Sequence, residues 1–528
     1  MADTSIFSQG LSRRSFIAAG AAISASAILA QFGMPTVAHA ASDTFIYAIA
    51  GDPSVSPNPV TTSDRFGLMT LKLVYSPLWD ITNDGVKYFL AESHEVSEDG
   101  LTYTAHLRQG VTWNDGEPFT ADDVVFSYET MRDTEVANGY SDLNYGDDGV
   151  VDIQKVDDYT VTFTFPFLNP AGLEALSGEK FMMPKHIYEG VTDFENNDVN
   201  GLGIGTGPYK LNEYQIGQYL SFSANESYFG GTPNIPNVVF QIVTNENTGM
   251  TAIQTGQVNA WIGTPAQVEQ LNPEANNLTV TPYSENRVSY FCMNAKRVTD
   301  EKVRKAFFFS LDKKAIADAA VLSEDYYALA YTFLPPANSW ATEDVEKYDR
   351  DVEKAKQLLS EAGVSNPTLK FAYSADDSLQ ATAAVMIQEQ AAEAGINVEL
   401  YGMDATAESQ AMKNPDNEYD LYYGGYIMGV DPDKYSQLFL TEGAYNYMHY
   451  DAPEVDELFA QGRQQTDEAA RREIYNELQA KIADMAVFYP VYSNMRLLVT
   501  TANVAGMEEA GLVPIYTFED MSKLSMTD

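Results

Sequence analysis

The chain has 528 residues, 45% of them hydrophobic and 20% charged, the composition of a globular protein large enough for two or three domains with cores of their own. Acidic residues outnumber basic ones 75 to 32, a formal charge of −43, which excludes nucleic acid and anionic lipid as partners held by charge. A single cysteine, Cys292, excludes an internal disulfide and reads as a small buried apolar residue.

The N-terminus carries a twin-arginine pattern, Ser12-Arg13-Arg14-Ser15-Phe16, then an uncharged apolar run from Ile17 to Phe32 and a small-x-small site at Ala38-His39-Ala40. Residues 1–40 therefore read as a twin-arginine signal peptide cut after Ala40. The apolar run is short, rich in Ala and Ser, and ends at Pro35, which argues against a membrane anchor. No cysteine stands near the cut to carry lipid, so the expectation is a free periplasmic protein.

Beyond that segment, Thr44 to Ile49 reads as a strand and Ala50 to Pro59 as a turn-rich loop. Leu101 to Leu107 alternates, with Leu101, Tyr103, Ala105 and Leu107 on one face. Thr120 has the character of a helix N-cap, with Asp123 three residues on, and its helix runs to about Arg132. Val156 to Phe165 is another alternating strand. Gly203 to Leu211, "GIGTGPYKL", lacks the spacing of a phosphate-binding loop and reads as a turn opening a strand that continues past Tyr219 to Asn225.

After Thr299 the texture changes to helix–strand alternation, hence an α/β lobe. The helix from Thr299 to Ile316 is capped by Thr299, another ends at Gly363, and a strand spans Thr368 to Ser374. A helix near Leu379 to Ala394, the strand "INVELY" and a capped helix from Thr466 to Met485 follow. The rest, including "VFYPVY" and "RLLVTT", is strand-like and irregular.

Several stretches together resemble extracellular solute-binding proteins of the dipeptide/oligopeptide class, family 5, which feed ABC importers. They are Leu90 to Glu129, Gly205 to Leu211, Val303 to Ile316, Gly429 to Tyr435 and Ala452 to Leu458, in an order that spans most of the chain. The resemblance implies an α/β, two-lobed periplasmic-binding-protein fold with mixed sheets and an extra subdomain inserted in the first lobe. The expected division gives the first lobe residues 41–90, 201–298 and 486–528, the inserted subdomain 91–200 and the second lobe 299–485. It further implies a monomer that encloses a small molecule or peptide and presents it to an ABC permease in the inner membrane.

In peptide-binding relatives, the strand equivalent to "YYGGYIMG" lines the cleft, and an aspartate a few residues after a Gly-Trp pair holds the peptide amine. Here Gly425-Tyr426 stands in place of Gly-Trp, and Gly429 or Met428 falls where the anchor would be. Asp431 either shapes the turn at Pro432 or has moved into the anchor role. On a strand, Tyr422, Tyr426 and Met428 share one face and Tyr423 takes the other. Ligand contact is thus expected from Tyr422, Tyr426 and Met428, with the backbone at Gly424 and Gly425 closely approached. Further candidates are Asp52 after the first strand, Tyr290 and Asn294 near the hinge, and Trp340 in the loop after Pro336. Each has a structural alternative: Asp52 caps the turn at Pro53, Asn294 supports the chain and Trp340 covers the core.

An oligosaccharide ligand suits the tyrosine faces and the missing amine anchor. A twin-arginine-exported enzyme is the reading from another class, but the chain has no H-E-x-x-H, C-x-x-C or G-x-S-x-G motif, and no cofactor or metal is expected.

Overall fold

The computed structural model describes residues 43–54, 57–133 and 142–527. The twin-arginine pattern and the cleavage site lie outside them.

A twelve-stranded mixed sheet forms the backbone of the fold. Its main path runs Asn397–Met403, Thr368–Ser374, Leu421–Ile427, Arg287–Met293, Phe488–Thr501, Ala260–Gly263, Thr44–Ile49, Asn237–Ile242, Tyr219–Ala224 and Tyr209–Gln215. The strands Leu278–Ser284 and Tyr327–Leu329 also pair with Phe488–Thr501. This last strand is the pivot of the molecule. Its first half, Phe488 to Tyr492, pairs with Arg287–Met293, and its second half, Met495 to Thr501, pairs with Leu278–Ser284.

Two cores sit on either side of that pivot. One gathers Phe45, Tyr47, Phe240 and Leu498; the other gathers Phe291, Phe371, Tyr423 and Tyr489. The chain crosses between them near residues 284–287 and 493–495. Asn286, with φ 53°, turns the first crossing. The division expected at residues 298 and 485 therefore differs from the strand register, which gives Arg287–Met293 to the second core. The reason is physical: helix–strand alternation becomes visible only at the first helix, whereas the buried strand before it has the same apolar texture as its neighbours in the first lobe.

Residues 91–200 hold a separate antiparallel sheet, ordered Ala91–Val96, Thr102–Leu107, Thr160–Thr164, Asp152–Asp157. Tyr103, Ala105 and Leu107 point inward as their alternation predicts. The helix Ala121–Arg132 opens on a reciprocal capping box between Thr120 and Asp123. Two expectations are corrected. Val156 to Phe165 contains a hairpin turn, where Asp157 Oδ1 accepts the Tyr159 amide at 2.8 Å. Tyr209–Gln215 and Tyr219–Ala224 are likewise antiparallel partners rather than one strand.

In the second lobe, the helix expected from Thr299 to Ile316 is two helices, Glu301–Phe309 and Lys313–Val321, capped by Asp300 and Asp312. A second aspartate cap after Ser310 allows the chain to restart in a new direction. The chain end returns to the first core: Phe518, Met521 and Leu524 are buried there, and the Phe518 ring meets the Phe45 ring edge-on at 6.2 Å. Glu519 pairs with the buried Lys72 at 2.8 Å. Among the described residues, no helix is long and apolar enough to cross a membrane.

Candidate functional site

The strand Leu421–Ile427 alternates as expected, but the structure gives its tyrosines to the cores. Tyr422 and Tyr426 face one core and Tyr423 the other. The Tyr422 hydroxyl receives a bond from Asn294 Nδ2 at 3.3 Å and is fully buried. Tyr426 donates to the Phe333 carbonyl at 2.6 Å, its ring packed among Tyr290, Tyr435 and Phe488. Tyr290 lies in the same cluster, and Asn294 is wholly enclosed, its Oδ1 accepting the Lys296 amide at 3.1 Å. In the structure these four side chains pack into the core, while the strand pairs along its length with Arg287–Met293 on one edge and, on the other, with Thr368–Ser374 only at Leu421 and Tyr422. The glycines also have a nearer cause. A Cβ on Gly424 would lie 2.8 Å from the Tyr290 ring, and one on Gly425 would lie 2.2 Å from the Arg287 guanidinium. Met428 is partly covered by the tyrosine core.

The loop after this strand meets the inserted subdomain. Glu174 receives the Val430 and Asp431 amides on its two carboxylate oxygens, each at 2.7 Å. Lys434 reaches Asp142 at 2.7 Å beside it. Gly429 is what allows the carboxylate in, since a Cβ there would fall 1.6 Å from Glu174 Oε1. Asp431 itself caps the turn, accepting the Asp433 amide at 2.9 Å, and its carboxylate is gripped by Arg471 through two bonds of 2.6 and 2.8 Å. The turn role anticipated for Asp431 is present, and the buried ion pair adds to it.

Burial raises the Glu174 carboxyl to about 7; Lys434 pulls it down, Asp431 pushes it up, and the two amides pull it down. In an opened cleft the group would regain water and its ordinary value, near 4.5. A carboxyl whose value is higher in the closed form favours closure fully below about 4.5, and that advantage fades as pH climbs through about 7. Ligand affinity is expected to fall by about 70-fold between pH 5 and pH 8. Calorimetric titration across that range checks it, with Glu174→Gln expected to flatten the profile.

The crossing point carries a cavity of about 340 Å³, with Phe66, Met69, Trp261, Asn494, Arg496 and the second lobe's Leu379 in its wall. It opens at the carboxyl ends of the parallel strands Thr44–Ile49 and Asn237–Ile242, where side loops diverge and leave a crevice. Asp64 caps the helix Arg65–Val74 by accepting the Phe66 and Gly67 amides, and so sets Arg65 and Phe66 at this mouth. Arg65 pairs with the buried Glu285 at 2.5 Å, and Arg496 approaches the same carboxylate at 3.6 Å. Glu174, Arg65, Glu285 and Arg496 escaped the sequence reading. A usable signal was present for Arg496, a lone charge inside the apolar strand "NMRLLVTT", since a charge there needs a partner.

Asp52 is engaged within the first lobe, accepting the Tyr214 hydroxyl at 3.1 Å and the Gly217 amide at 2.7 Å. Trp340 lies away from the cavity, with Arg472 over its ring at 4.5 Å and Arg471 at 5.2 Å. Cys292 is buried and its thiol is pushed well up by burial, as an inert core residue should be.

The family described as "Bacterial extracellular solute-binding proteins, family 5 Middle" matches residues 85–447. The oligopeptide-binding protein AppA of Bacillus subtilis is 27% identical over 82% of this chain and 83% of its own length. The dipeptide-binding protein of Escherichia coli is also 27% identical, over 87% of this chain and 90% of its own. Among solved structures, the ABC transporter substrate-binding protein CtaP of Listeria monocytogenes superposes with a TM-score of 0.87 at 36% identity, covering 92% of this chain and 100% of that one.

Proposed function

Since the chain belongs to family 5 of the bacterial extracellular solute-binding proteins, a family of receptors rather than enzymes, we propose that it captures a small peptide or peptide-like solute between its lobes for an ABC permease in the membrane. The observation that carries this reading is the cavity at the crossing point, bounded by the first lobe, the pivot strand and Leu379 of the second. A volume of about 340 Å³ is in the range of small-molecule pockets. A solute touching both lobes lowers the energy of the closed form by its differential contacts, and that closed shape is what a permease reads. The names of the relatives, oligopeptide-binding and dipeptide-binding, favour peptides over sugars.

The finer parts of the reading rest on the sequence. The twin-arginine segment supports export in folded form to the periplasm, the absence of a cysteine near the cut supports an unlipidated product, and the family resemblance supports a monomer. Gly425 and Met428 remain the proposed contacts of the second-lobe wall, through backbone and thioether respectively. Asp52 and Trp340 support their lobes in this reading.

Thermal-shift screening with di- to tetrapeptides, oligosaccharides and buffer alone tests the function. A peptide at a hundred times its dissociation constant should add about 2.7 kcal/mol of stability, and small-angle scattering should show a more compact particle with it. A melting point raised by oligosaccharides alone, or a scattering profile unchanged by a bound peptide, would sink the reading.

A further inference from the structure

The two lobes carry like charge. Residues 287–493, the second lobe by strand register, hold 35 acidic and 19 basic residues, a net of −16. Residues 41–286 and 494–528 hold 39 and 11, a net of −28. Closing the cleft brings these two acidic bodies together, and self-repulsion of that kind opposes the compact state.

The edge where they meet has the opposite pattern. On the second lobe, Asp431 is paired with Arg471 and Asp433 with Arg463, which leaves the charge of Lys434 in surplus. The inserted subdomain brings Asp142, Glu174 and Glu179 to it, with Lys180 among them. Lys434 lies 2.7 Å from Asp142, and Lys180 reaches the same carboxylate at 3.5 Å. Burial pushes the Lys434 amine down, and Asp142 and Glu174 more than offset it, so the amine stays charged between the lobes.

Salt acts unequally on these two effects. Repulsion between the lobes is summed over many exposed charges at long range, and it fades as the Debye length shortens from about 30 Å at 0.01 M salt to about 8 Å at 0.15 M. The contact pair lies well inside either length and is partly covered, so salt weakens it much less. We infer that the cleft is an ionic-strength switch: in dilute medium repulsion between the acidic lobes holds it open, and as salt screens that repulsion the Lys434–Asp142 pair catches it closed. The inference rests on the reading of the protein as a receptor that closes, whatever solute it takes.

Small-angle scattering of the intact protein, with no solute added and extrapolated to infinite dilution, tests this. The ratio of closed to open molecules is expected to rise about tenfold between about 0.01 M and about 0.15 M sodium chloride, seen as a falling radius of gyration. Sodium sulfate at matched ionic strength should follow the same curve. Lys434→Met is expected to lower that ratio about tenfold at each ionic strength, the effect of losing a close charge pair across an interface. Asp142→Asn is the second variant, should Lys434→Met not fold, and is expected to act in the same direction. A radius of gyration that is constant or rises with salt overturns the inference, and so does one that tracks the identity of the salt or is unchanged by both substitutions. Peptide binding is read separately by thermal shift, so the salt response can fail while peptides bind, and peptides can fail to bind while the salt response stands.

Discussion

Arg471→Ala is expected to lower the free energy of unfolding by about 3–5 kcal/mol, the range for breaking one side of a buried ion pair. Arg471 is 4% exposed and Asp431 8%. The guanidinium serves three groups at once: it grips Asp431 through two bonds, donates from Nε to the Gly462 carbonyl at 2.9 Å, and lies over the Tyr475 ring at 5.0 Å. Alanine would leave the Asp431 carboxylate buried and uncompensated, with the Glu174 carboxylate close by on the same backbone turn. Asp431→Asn should cost less, because an amide oxygen still accepts the Asp433 amide. The double substitution should cost less than the two singles added, since the pair is lost only once. Urea unfolding monitored by tyrosine and tryptophan fluorescence measures all three. A loss under 1 kcal/mol for Arg471→Ala would show that this pair is not what holds the turn.

Gly429→Ala is expected to weaken ligand binding about 100-fold while leaving the unliganded protein folded. A methyl group there would occupy the position of Glu174 Oε1, at 1.6 Å. The carboxylate is the far end of a flexible side chain, so it can swing aside, but only by releasing the Val430 and Asp431 amides. With the carboxyl half-titrated near pH 7 in the closed form, each bond contributes about 1.5 kcal/mol, where the ranges for neutral and charged acceptors meet. Losing both in the closed form alone moves the closing equilibrium by about 3 kcal/mol, which is about two decades in affinity. Titration of a peptide found by thermal shift checks the affinity, and scattering checks that the liganded variant stays more open. Unchanged affinity would mean that Glu174 contributes nothing to closure.

Much of the fold was legible because its signals are local. The Thr120 capping box, the strand Thr368–Ser374 and the inward face of Tyr103, Ala105 and Leu107 depend on neighbours in the chain, and the structure has them where the pattern puts them. The site was less legible, because its parts are joined only by tertiary contact. Glu174 and the Val430 amide are 256 residues apart, and Arg65 and Glu285 are 220 apart. The tyrosines around Gly424 read two ways for a related reason. An aromatic beside glycine fits a cleft wall and a tightly packed core equally well, and that the Tyr290 ring lies across Gly424 is a tertiary fact no local pattern carries. Both halves of the pivot strand, "VFYPVY" and "RLLVTT", were strand-like in the sequence, but their continuity was hidden because the polar Ser493 and Asn494 interrupt the apolar run where pairing passes from one lobe to the other.

The return of the chain end to the first core sets the order in which the protein can be finished during synthesis. Thr44–Ile49 is among the first strands off the ribosome, yet Phe45 waits for Phe518, and Lys72 waits for Glu519, 447 residues later. Until then the first lobe has an open flank, and contacts across so long a loop are slow to form. The second lobe, whose core draws on residues 291–492, can close earlier. A nascent chain halted shortly before Phe518 would therefore carry a second lobe able to close and a first lobe still lacking Phe518, Met521 and Leu524 from its core.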